Sequence, residues 1–222
     1  MSVTSAAFFD LDRTLLTINS ASAWIRYERR HGRVSRRVLV EGLVWLTGYE
    51  LGVVAMERAL ARAVRTLEGL PEREMAERVG QWYRAEIAPH VAEKAREALA
   101  LHRARGEALV LLTSSSPYIS RPVVEELGMD DYLCSRFEVV EGVFTGKPVL
   151  PFCFGEGKVK LASAWAAERG ILLERCTFYT DSHSDVPMLE VVGYPVVVNP
   201  DMRLRRLAKK RGWPQHQWAR RG

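Results

Sequence analysis

Short apolar segments that end in polar residues alternate with helical segments along this chain. The apolar runs at 6–9, 108–112 and 176–180 lead directly into Asp10, Thr113 and Asp181. Strands that alternate with helices predict an α/β fold, a Rossmann-like parallel sheet with helices on both faces. Ligands of such sheets bind at the carboxyl ends of the strands. We therefore expect the three polar strand ends to meet in one crevice.

A helical insertion separates the first predicted strand from the others. From residue 20 to about residue 88, apolar side chains recur at helical spacing without a strand pattern. The pattern therefore predicts a core domain of residues 1–16 and 89–222 and a helical domain of residues 17–88. For the rest of the core, periodicity and breaks predict helices at 93–105, 118–127, 158–169, 186–192 and 204–211, a hairpin at 137–149 and a strand at 195–198.

Charge is unevenly distributed. The formal net charge is +5, but residues 203–222 hold eight Lys and Arg and no acid, which leaves 24 basic and 27 acidic residues elsewhere. Such a basic terminal helix is usually solvated, so we do not expect a nucleic acid partner, although polyanion binding stays open. The most apolar stretch, 38–56, carries Glu41 and Glu50, whereas a spanning helix needs about 20 continuous apolar residues. It predicts a buried helical hairpin rather than membrane contact.

The cysteines and the N-terminal segment indicate the compartment. The chain has an odd number of cysteines, and none of them lies in a CxxC pattern: Cys134, Cys153 and Cys176. This is typical of reduced thiols. The N-terminal apolar run has no preceding positive charge and meets Asp10 at once, so it does not resemble a secretory signal. We expect a cytoplasmic protein that is a monomer or a homodimer.

Two acidic pairs follow predicted strands. Asp10 and Asp12 are two residues apart, so both carboxylates can point to one side of an extended chain. Carboxylates this close repel, and Mg²⁺, which takes oxygen ligands and substrate phosphates, would compensate. In the second pair Asp181 stands at a strand end and is a better ligand candidate than Asp185. The structural alternatives are an Asp-capped turn for the first pair and a helix N-cap at Asp185.

Two further segments carry groups that suit a phosphate. Thr113 and Ser114 open a predicted strand-to-helix turn, where backbone N–H groups and the helix dipole favour an anion. Lys158 lies in the first turn of a predicted helix, where its charge opposes the dipole, so a purely structural role is disfavoured. A serine-rich N-cap and a solvated lysine are the structural alternatives.

The ordered combination of these motifs resembles the haloacid dehalogenase superfamily, and more narrowly its phosphoserine-phosphatase-like phosphatases. The segments that carry the resemblance span nearly the whole chain: FFDLDRTLL, LLTSSS, GEGKVKLA, YTDSHSDVPML and NPDMRLRRLAKKRGW. The helical insertion resembles the cap domain of that subgroup. A closing cap would exclude water and admit a small phosphorylated substrate, but not a polymer.

The resemblance implies a magnesium-dependent phosphomonoester hydrolase with a phosphoaspartate intermediate. Asp10 would attack phosphorus, and Asp12 would protonate the leaving oxygen and then activate water. The implied magnesium site comprises the Asp10 carboxylate, the Asp12 backbone carbonyl and Asp181, with Asp185 steadying bound water. The implied phosphoryl-binding groups are Thr113, the Ser114 amide and Lys158. Thr14 would brace the loop of the two aspartates.

One position departs from the phosphoserine phosphatases, which usually carry a glutamate nine residues after the nucleophile. This chain has Asn19 there, followed by Ser20. A neutral amide cannot supply the charge pairing that a zwitterionic amino acid needs, so we expect a small phosphorylated metabolite other than phosphoserine. Asn19 and Ser20 are candidate substrate contacts or, alternatively, a helix N-cap. The alternative functions are phosphoserine phosphatase proper, a metal-dependent nuclease, and an inactive polyanion-binding protein that uses the basic tail.

Overall fold

A six-stranded parallel sheet organises the chain, of which the computed structural model describes residues 4–33 and 56–219. The strands are β1 (Ala6–Phe9), β2 (Ala108–Thr113), β3 (Asp131–Cys134), β4 (Arg136–Val140), β5 (Val143–Val149), β6 (Thr177–Thr180), β7 (Tyr194–Val198) and β8 (Gln215–His216). The sheet has the order β3-β2-β1-β6-β7-β8, and β4 and β5 form a separate antiparallel hairpin. The chain steps outward from β1 to β3 and then restarts at β6 on the other side of β1. This switch in direction places a crevice at the carboxyl ends of β1 and β6.

Helices cover both faces of the sheet, as the sequence predicts. The helices of the core are α4 (Glu93–Ala104), α5 (Pro117–Leu127), α6 (Glu156–Glu168), α7 (Val186–Val191) and α8 (Met202–Arg211), and those of the insertion are α1 (Ser20–Arg30), α2 (Met56–Arg65) and α3 (Glu72–Trp82). Successive strand residues face opposite sides. Phe9 therefore belongs to a core with Leu99 of α4, whereas Phe8 belongs to a second core with Trp165 of α6. The predicted α/β class is confirmed.

Most predicted elements of the core are confirmed to within one or two residues. Two were missed, the edge strands β3 and β8, and α6 begins at Glu156, two residues before the predicted start. Most of the predicted helical hairpin at 38–56 lies outside the described residues. None of the helices within the two described ranges has the length and apolar character needed to cross a bilayer.

The two connections between the sheet and the helical insertion lie side by side. Leu16 and Val91 form an antiparallel bridge, the Thr17 N–H donates to the His90 carbonyl at 2.8 Å, and the Ala92 N–H donates to the Leu15 carbonyl at 2.9 Å. The chain thus leaves the sheet and returns to it through adjacent strands of backbone. Further along the insertion, the backbone of Gly69 and Leu70 bonds to Phe144 of the hairpin. These bonds hold the insertion beside the carboxyl edge of the sheet.

Candidate active site

Two acidic loops begin at the switch point of the sheet. The first acidic loop, residues 10–18, follows β1, and the second acidic loop, residues 181–185, follows β6. Because Phe9 pairs with Tyr179 in register, the Asp10 N–H donates to the Tyr179 carbonyl at 2.9 Å. Two carboxylates that are 171 positions apart in the sequence, Asp10 and Asp181, therefore stand at neighbouring strand ends.

Lys158 joins the two acidic loops. Its Nζ donates to Asp10 Oδ1 at 2.8 Å and to Asp185 Oδ2 at 2.7 Å, and its side chain is only 3% exposed. An ammonium has three N–H donors, so one remains for a third oxygen such as that of a phosphoryl group. The structure thus places Lys158 in the crevice, which rules out the alternative of a solvated lysine.

Asp185 is fixed from the core side. Thr180, the last residue of β6, donates its hydroxyl to Asp185 Oδ2 at 2.6 Å. Asp185 occupies the N-cap position of α7, but its side chain makes no capping bond and is directed to Thr180 and Lys158 instead. Thr180 was not among the predicted site residues. Its place at the end of a predicted strand, directly before Asp181, was the signal that could have identified it.

Asp12 is oriented by the helical insertion. Its Oδ1 accepts a 2.7 Å hydrogen bond from the Ser20 N–H at the start of α1. The Asn19 side chain accepts from the Ser22 N–H at 2.9 Å, so Asn19 caps α1, the alternative left open by the sequence. Direct substrate contacts by Asn19 and Ser20 stay a prediction. Ser20 nevertheless belongs to the site, because its backbone holds the Asp12 carboxylate.

Backbone bonds, rather than the Thr14 hydroxyl, hold the first acidic loop. The Leu15 N–H donates to the Asp10 carbonyl at 3.3 Å and the Arg13 N–H donates to the Ile18 carbonyl at 3.1 Å. Thr14 is fully buried, but within the described part of the chain its hydroxyl oxygen has no hydrogen-bond partner. The resemblance implies that Thr14 braces this loop, but its side chain makes no hydrogen bond with the described residues that would do so.

Burial sets the protonation of the acidic groups. It raises the pKa of Asp10 to about 7, with an upward contribution from Asp185 and a downward one from Lys158. Burial, with Asp10 and Asp185, raises the pKa of Asp181 well above its usual value. Burial also raises the pKa of Asp12, against the bond from Ser20. For Lys158, burial alone would lower the pKa, but Asp10 and Asp185 raise it above its ordinary value, so the ammonium stays charged.

The charge balance of the crevice fits a divalent cation. Asp10, Asp12, Asp181 and Asp185, if ionised, carry two negative charges more than Lys158 and Arg13, the cations that act on them. Carboxylate oxygens are the ligands that Mg²⁺ prefers. Among the described residues, no three acidic, histidine or cysteine side chains are arranged to hold a metal by themselves. Mg²⁺ fits such a site, because it commonly uses one or two carboxylates and completes its shell with water and phosphate.

Thr113 and Ser114 lie at the carboxyl end of β2, next to β1 in the sheet. Thr113 is 2% exposed, and its hydroxyl accepts from the Ser115 N–H at 3.1 Å. A threonine hydroxyl that accepts one bond can still donate its own hydrogen. The turn leads into α5, whose Pro117 needs no hydrogen-bond partner at the first helical position. The phosphate-binding role of this turn stays a prediction.

Comparisons with known proteins identify the family that this chain resembles. The model of the haloacid dehalogenase-like hydrolase family matches residues 7–190. A phosphoserine phosphatase of Mycobacterium tuberculosis is 35% identical over 95% of this chain and 70% of its own length. A histidinol-phosphatase of Neisseria meningitidis is 30% identical over 94% of this chain and 96% of its own length. The structure of a phospho-aspartyl intermediate analogue of phosphoserine phosphatase superposes with a TM-score of 0.72 at 20% identity, covering 99% of this chain and 95% of that one.

Proposed function

The chain belongs to the haloacid dehalogenase-like hydrolase family, and from this premise we propose that it is a phosphatase that attacks phosphate monoesters with Asp10. The observation that carries the proposal is the Lys158 ammonium, bound to Asp10 on one acidic loop and to Asp185 on the other. It fixes a carboxylate oxygen beside a cation that can also bind a phosphoryl oxygen. The same arrangement offsets negative charge that develops during transfer.

The proposed reaction has two displacements at phosphorus. A carboxylate oxygen of Asp10 forms a bond to phosphorus while the ester P–O bond breaks, and Asp12 gives its proton to the leaving alcohol. A water molecule then attacks the phosphoaspartate, Asp12 takes a proton from that water, and phosphate and the Asp10 carboxylate are released. The raised pKa of Asp12 supports this role, because the group must carry a proton in the first displacement.

Three groups on the two acidic loops would hold Mg²⁺. They are the carboxylates of Asp10 and Asp181 and the backbone carbonyl of Asp12, with Asp185 steadying bound water. The bound ion would supply charge neutralisation for the phosphoryl oxygens. Thr113, the Ser114 amide and Lys158 would bind phosphoryl oxygens. The unfavourable ionisation of Asp10 and Asp181 supports a cation here, because a nearby positive charge favours the carboxylate form.

Residues 17–88 would serve as a cap over this crevice. The paired connections at Leu16 and Val91 support the predicted boundaries, since the whole segment between them is inserted at one point of the core. The bond from Ser20 to Asp12 links the first helix of the insertion to the proposed acid. A cap that closes on substrate would thus exclude water and fix Asp12 in one step.

The proposed substrate is a small phosphorylated metabolite. The relatives are named for phosphoserine and for histidinol phosphate, which share a primary phosphate ester next to an amino-bearing carbon. Asn19 is neutral and engaged in capping α1, so it does not offer the charge that a zwitterionic amino acid needs. We therefore propose a substrate other than phosphoserine, with phosphoserine as the alternative.

Phosphate release with and without Mg²⁺ tests the proposal. The substrates are p-nitrophenyl phosphate, phosphoserine and histidinol phosphate, with single- and double-stranded DNA in separate reactions. We expect hydrolysis of p-nitrophenyl phosphate that stops when EDTA is added and resumes with excess Mg²⁺, whereas efficient hydrolysis of phosphoserine would favour the alternative substrate. The Asp10→Asn variant, purified in parallel, controls for contaminating phosphatases. Cleavage of DNA without ester hydrolysis would show a nuclease instead, and ester hydrolysis by Asp10→Asn equal to wild type would refute the mechanism.

A further inference from the structure

The segment that follows β7 contacts both acidic loops from outside the crevice. Asn199 Nδ2 donates to the Arg13 carbonyl of the first loop at 2.6 Å. Asp201 Oδ2 accepts from the His183 N–H of the second loop at 2.8 Å, and the Asp201 N–H donates to the Asp181 carbonyl at 3.0 Å. Two side chains that are two positions apart therefore bind the backbones that carry Asp12 and Asp181.

The C-terminal segment fixes the orientation of the Asn199 amide. Asn199 Oδ1 accepts from the Trp218 N–H at 2.8 Å, from the Ala219 N–H at 3.0 Å and from Gln217 Nε2 at 2.9 Å. Since three donors surround the oxygen, the amide nitrogen must face the Arg13 carbonyl. Asn199 also adopts a φ of 47°, a left-handed conformation that asparagine tolerates better than most residues. These constraints make Asn199 a fixed support for the first loop.

The carbonyl that Asn199 binds belongs to a strained residue. Arg13 has a φ of 55° and lies directly between Asp12 and Thr14. A non-glycine residue keeps such a conformation only where its surroundings enforce it. The bond from Asn199 is one of these constraints, and the bond between the Arg13 N–H and the Ile18 carbonyl is another. Loss of the first bond would let the backbone of Asp12 relax.

Asp201 has two separable roles. Its Oδ1 accepts from the Leu204 N–H at 2.8 Å and caps α8, while its Oδ2 holds His183. The C-terminal segment is further held by Trp218, whose ring lies 5.4 Å from that of Tyr179 in β6. The end of the chain is thereby joined to the strand that leads into Asp181.

We propose that Asn199 and Asp201 are positioning residues, a clamp by which the C-terminal segment holds the two acidic loops in register. The inference rests on the proposed function and extends it to a part of the chain that the site chemistry does not use. It assigns residues 215–219 a role in catalysis through Asn199, without contact to substrate.

The first test separates the two ends of the Asn199 amide. Asn199→Asp keeps an oxygen for Trp218 and Ala219 but sets a carboxylate oxygen against the Arg13 carbonyl. Gln81→Glu, the matched control, makes the same amide-to-acid change at an exposed position of α3 and leaves the bond to Arg13 intact. For Asn199→Asp we expect hydrogen exchange of residues 11–18 to rise about tenfold, the worth of one hydrogen bond. Turnover of p-nitrophenyl phosphate should fall about tenfold or more with little change in KM, and the control should match wild type.

The second test separates the two roles of Asp201, which are the N-cap of α8 and the bond to the His183 N–H. Asp201→Ser retains a good N-cap for α8 but is too short to hold His183 as well. We expect faster hydrogen exchange in residues 181–185 and unchanged exchange in residues 202–211. The Mg²⁺ concentration that gives half-maximal activity should rise.

Hydrogen exchange decides the clamp independently of activity. Exchange like wild type in residues 11–18 of Asn199→Asp would overturn it. Faster exchange throughout the sheet with normal turnover per folded molecule would also overturn it, since that result shows only a general role in stability. If the wild-type protein releases no phosphate, the proposed function fails, and the exchange of residues 11–18 still tests the clamp. If Asn199→Asp does not fold, Asn199→Gly, which suits the φ of 47°, takes its place.

Discussion

The two acidic loops are held in different ways, although each presents two aspartates at the same edge of the sheet. The first acidic loop is tied to the insertion, because Asp12 accepts from Ser20 and Thr17 bonds to His90. The second acidic loop is held by residues of the core. Thr180 and Lys158 both donate hydrogen bonds to its Asp185 carboxylate. The loop that carries the proposed nucleophile and acid is thus the one that can respond to the insertion. The other provides a fixed base for the cation.

The largest predicted effect distinguishes the two carboxylates bound to Lys158. Asp10→Asn should lower turnover by a factor of roughly ten thousand or more, because an amide cannot attack phosphorus. Asp185→Asn should retain measurable activity, since an amide oxygen can still accept from Lys158. Single-time-point phosphate release from both variants, each checked for native circular dichroism, makes the comparison. Equal losses in the two variants would remove the distinction between the loops.

The next prediction concerns the cation that joins the loops. Lys158→Met should lower the free energy of unfolding by about 3–5 kcal/mol without Mg²⁺ at pH 8, because it leaves buried carboxylates unpaired. Lys160→Met, an exposed lysine on the same helix, should change it by less than about 0.5 kcal/mol. Urea denaturation measures both. A Lys158→Met protein as stable as the control would mean that the ammonium does not hold the loops together.

The proposed acid should show a leaving-group signature. Asp12→Asn should slow hydrolysis of an alkyl phosphate about a hundredfold, the usual contribution of a general acid, and slow p-nitrophenyl phosphate less, because that leaving group needs no proton. Steady-state rates on the two substrates provide the measurement. A variant that handles the alkyl ester as fast as wild type would exclude the role.

The last prediction concerns stability as a function of pH. The pKa of Asp10 rises from 3.8 to about 7 on folding, so the folded state binds more protons than the unfolded state between these values. Without Mg²⁺, the melting temperature should therefore fall as pH rises from about 4 to 7. Asp10→Asn should flatten this decline, and Mg²⁺ should raise the melting temperature more at pH 8 than at pH 5. Thermal denaturation that is independent of Mg²⁺ at both pH values would argue against the cation site.

Local sequence signals were sufficient for the crevice but not for its outer supports. Asp10 and Asp181 could be placed because apolar runs end at them, and parallel strand ends share one edge. β3 was missed because its four residues, DYLC, include an acid and form an edge. The bond from Asn199 to Arg13 spans 186 positions of sequence and has no local pattern.

The start of α6 shows how tertiary packing overrides a local signal. Two glycines, Gly155 and Gly157, favour a loop up to Lys158, yet the helix begins at Glu156. A Cβ on Gly157 would lie 1.8 Å from the Phe152 carbonyl oxygen, so glycine permits close packing inside the helix there. As a result Lys158 is the third residue of α6, and its side chain is directed at Asp10 and Asp185.

Direct detection of the phosphorylated side chain tests the central claim. The Asp12→Asn variant should release p-nitrophenol faster than it hydrolyses the acyl phosphate, so acid quenching during turnover should trap the intermediate. Peptide mass spectrometry should then find one phosphoryl group on the peptide that contains Asp10, and none after the same treatment of Asp10→Asn. Turnover with the phosphoryl group on another residue, or with no protein-bound phosphate under conditions that preserve acyl phosphates, would contradict the account.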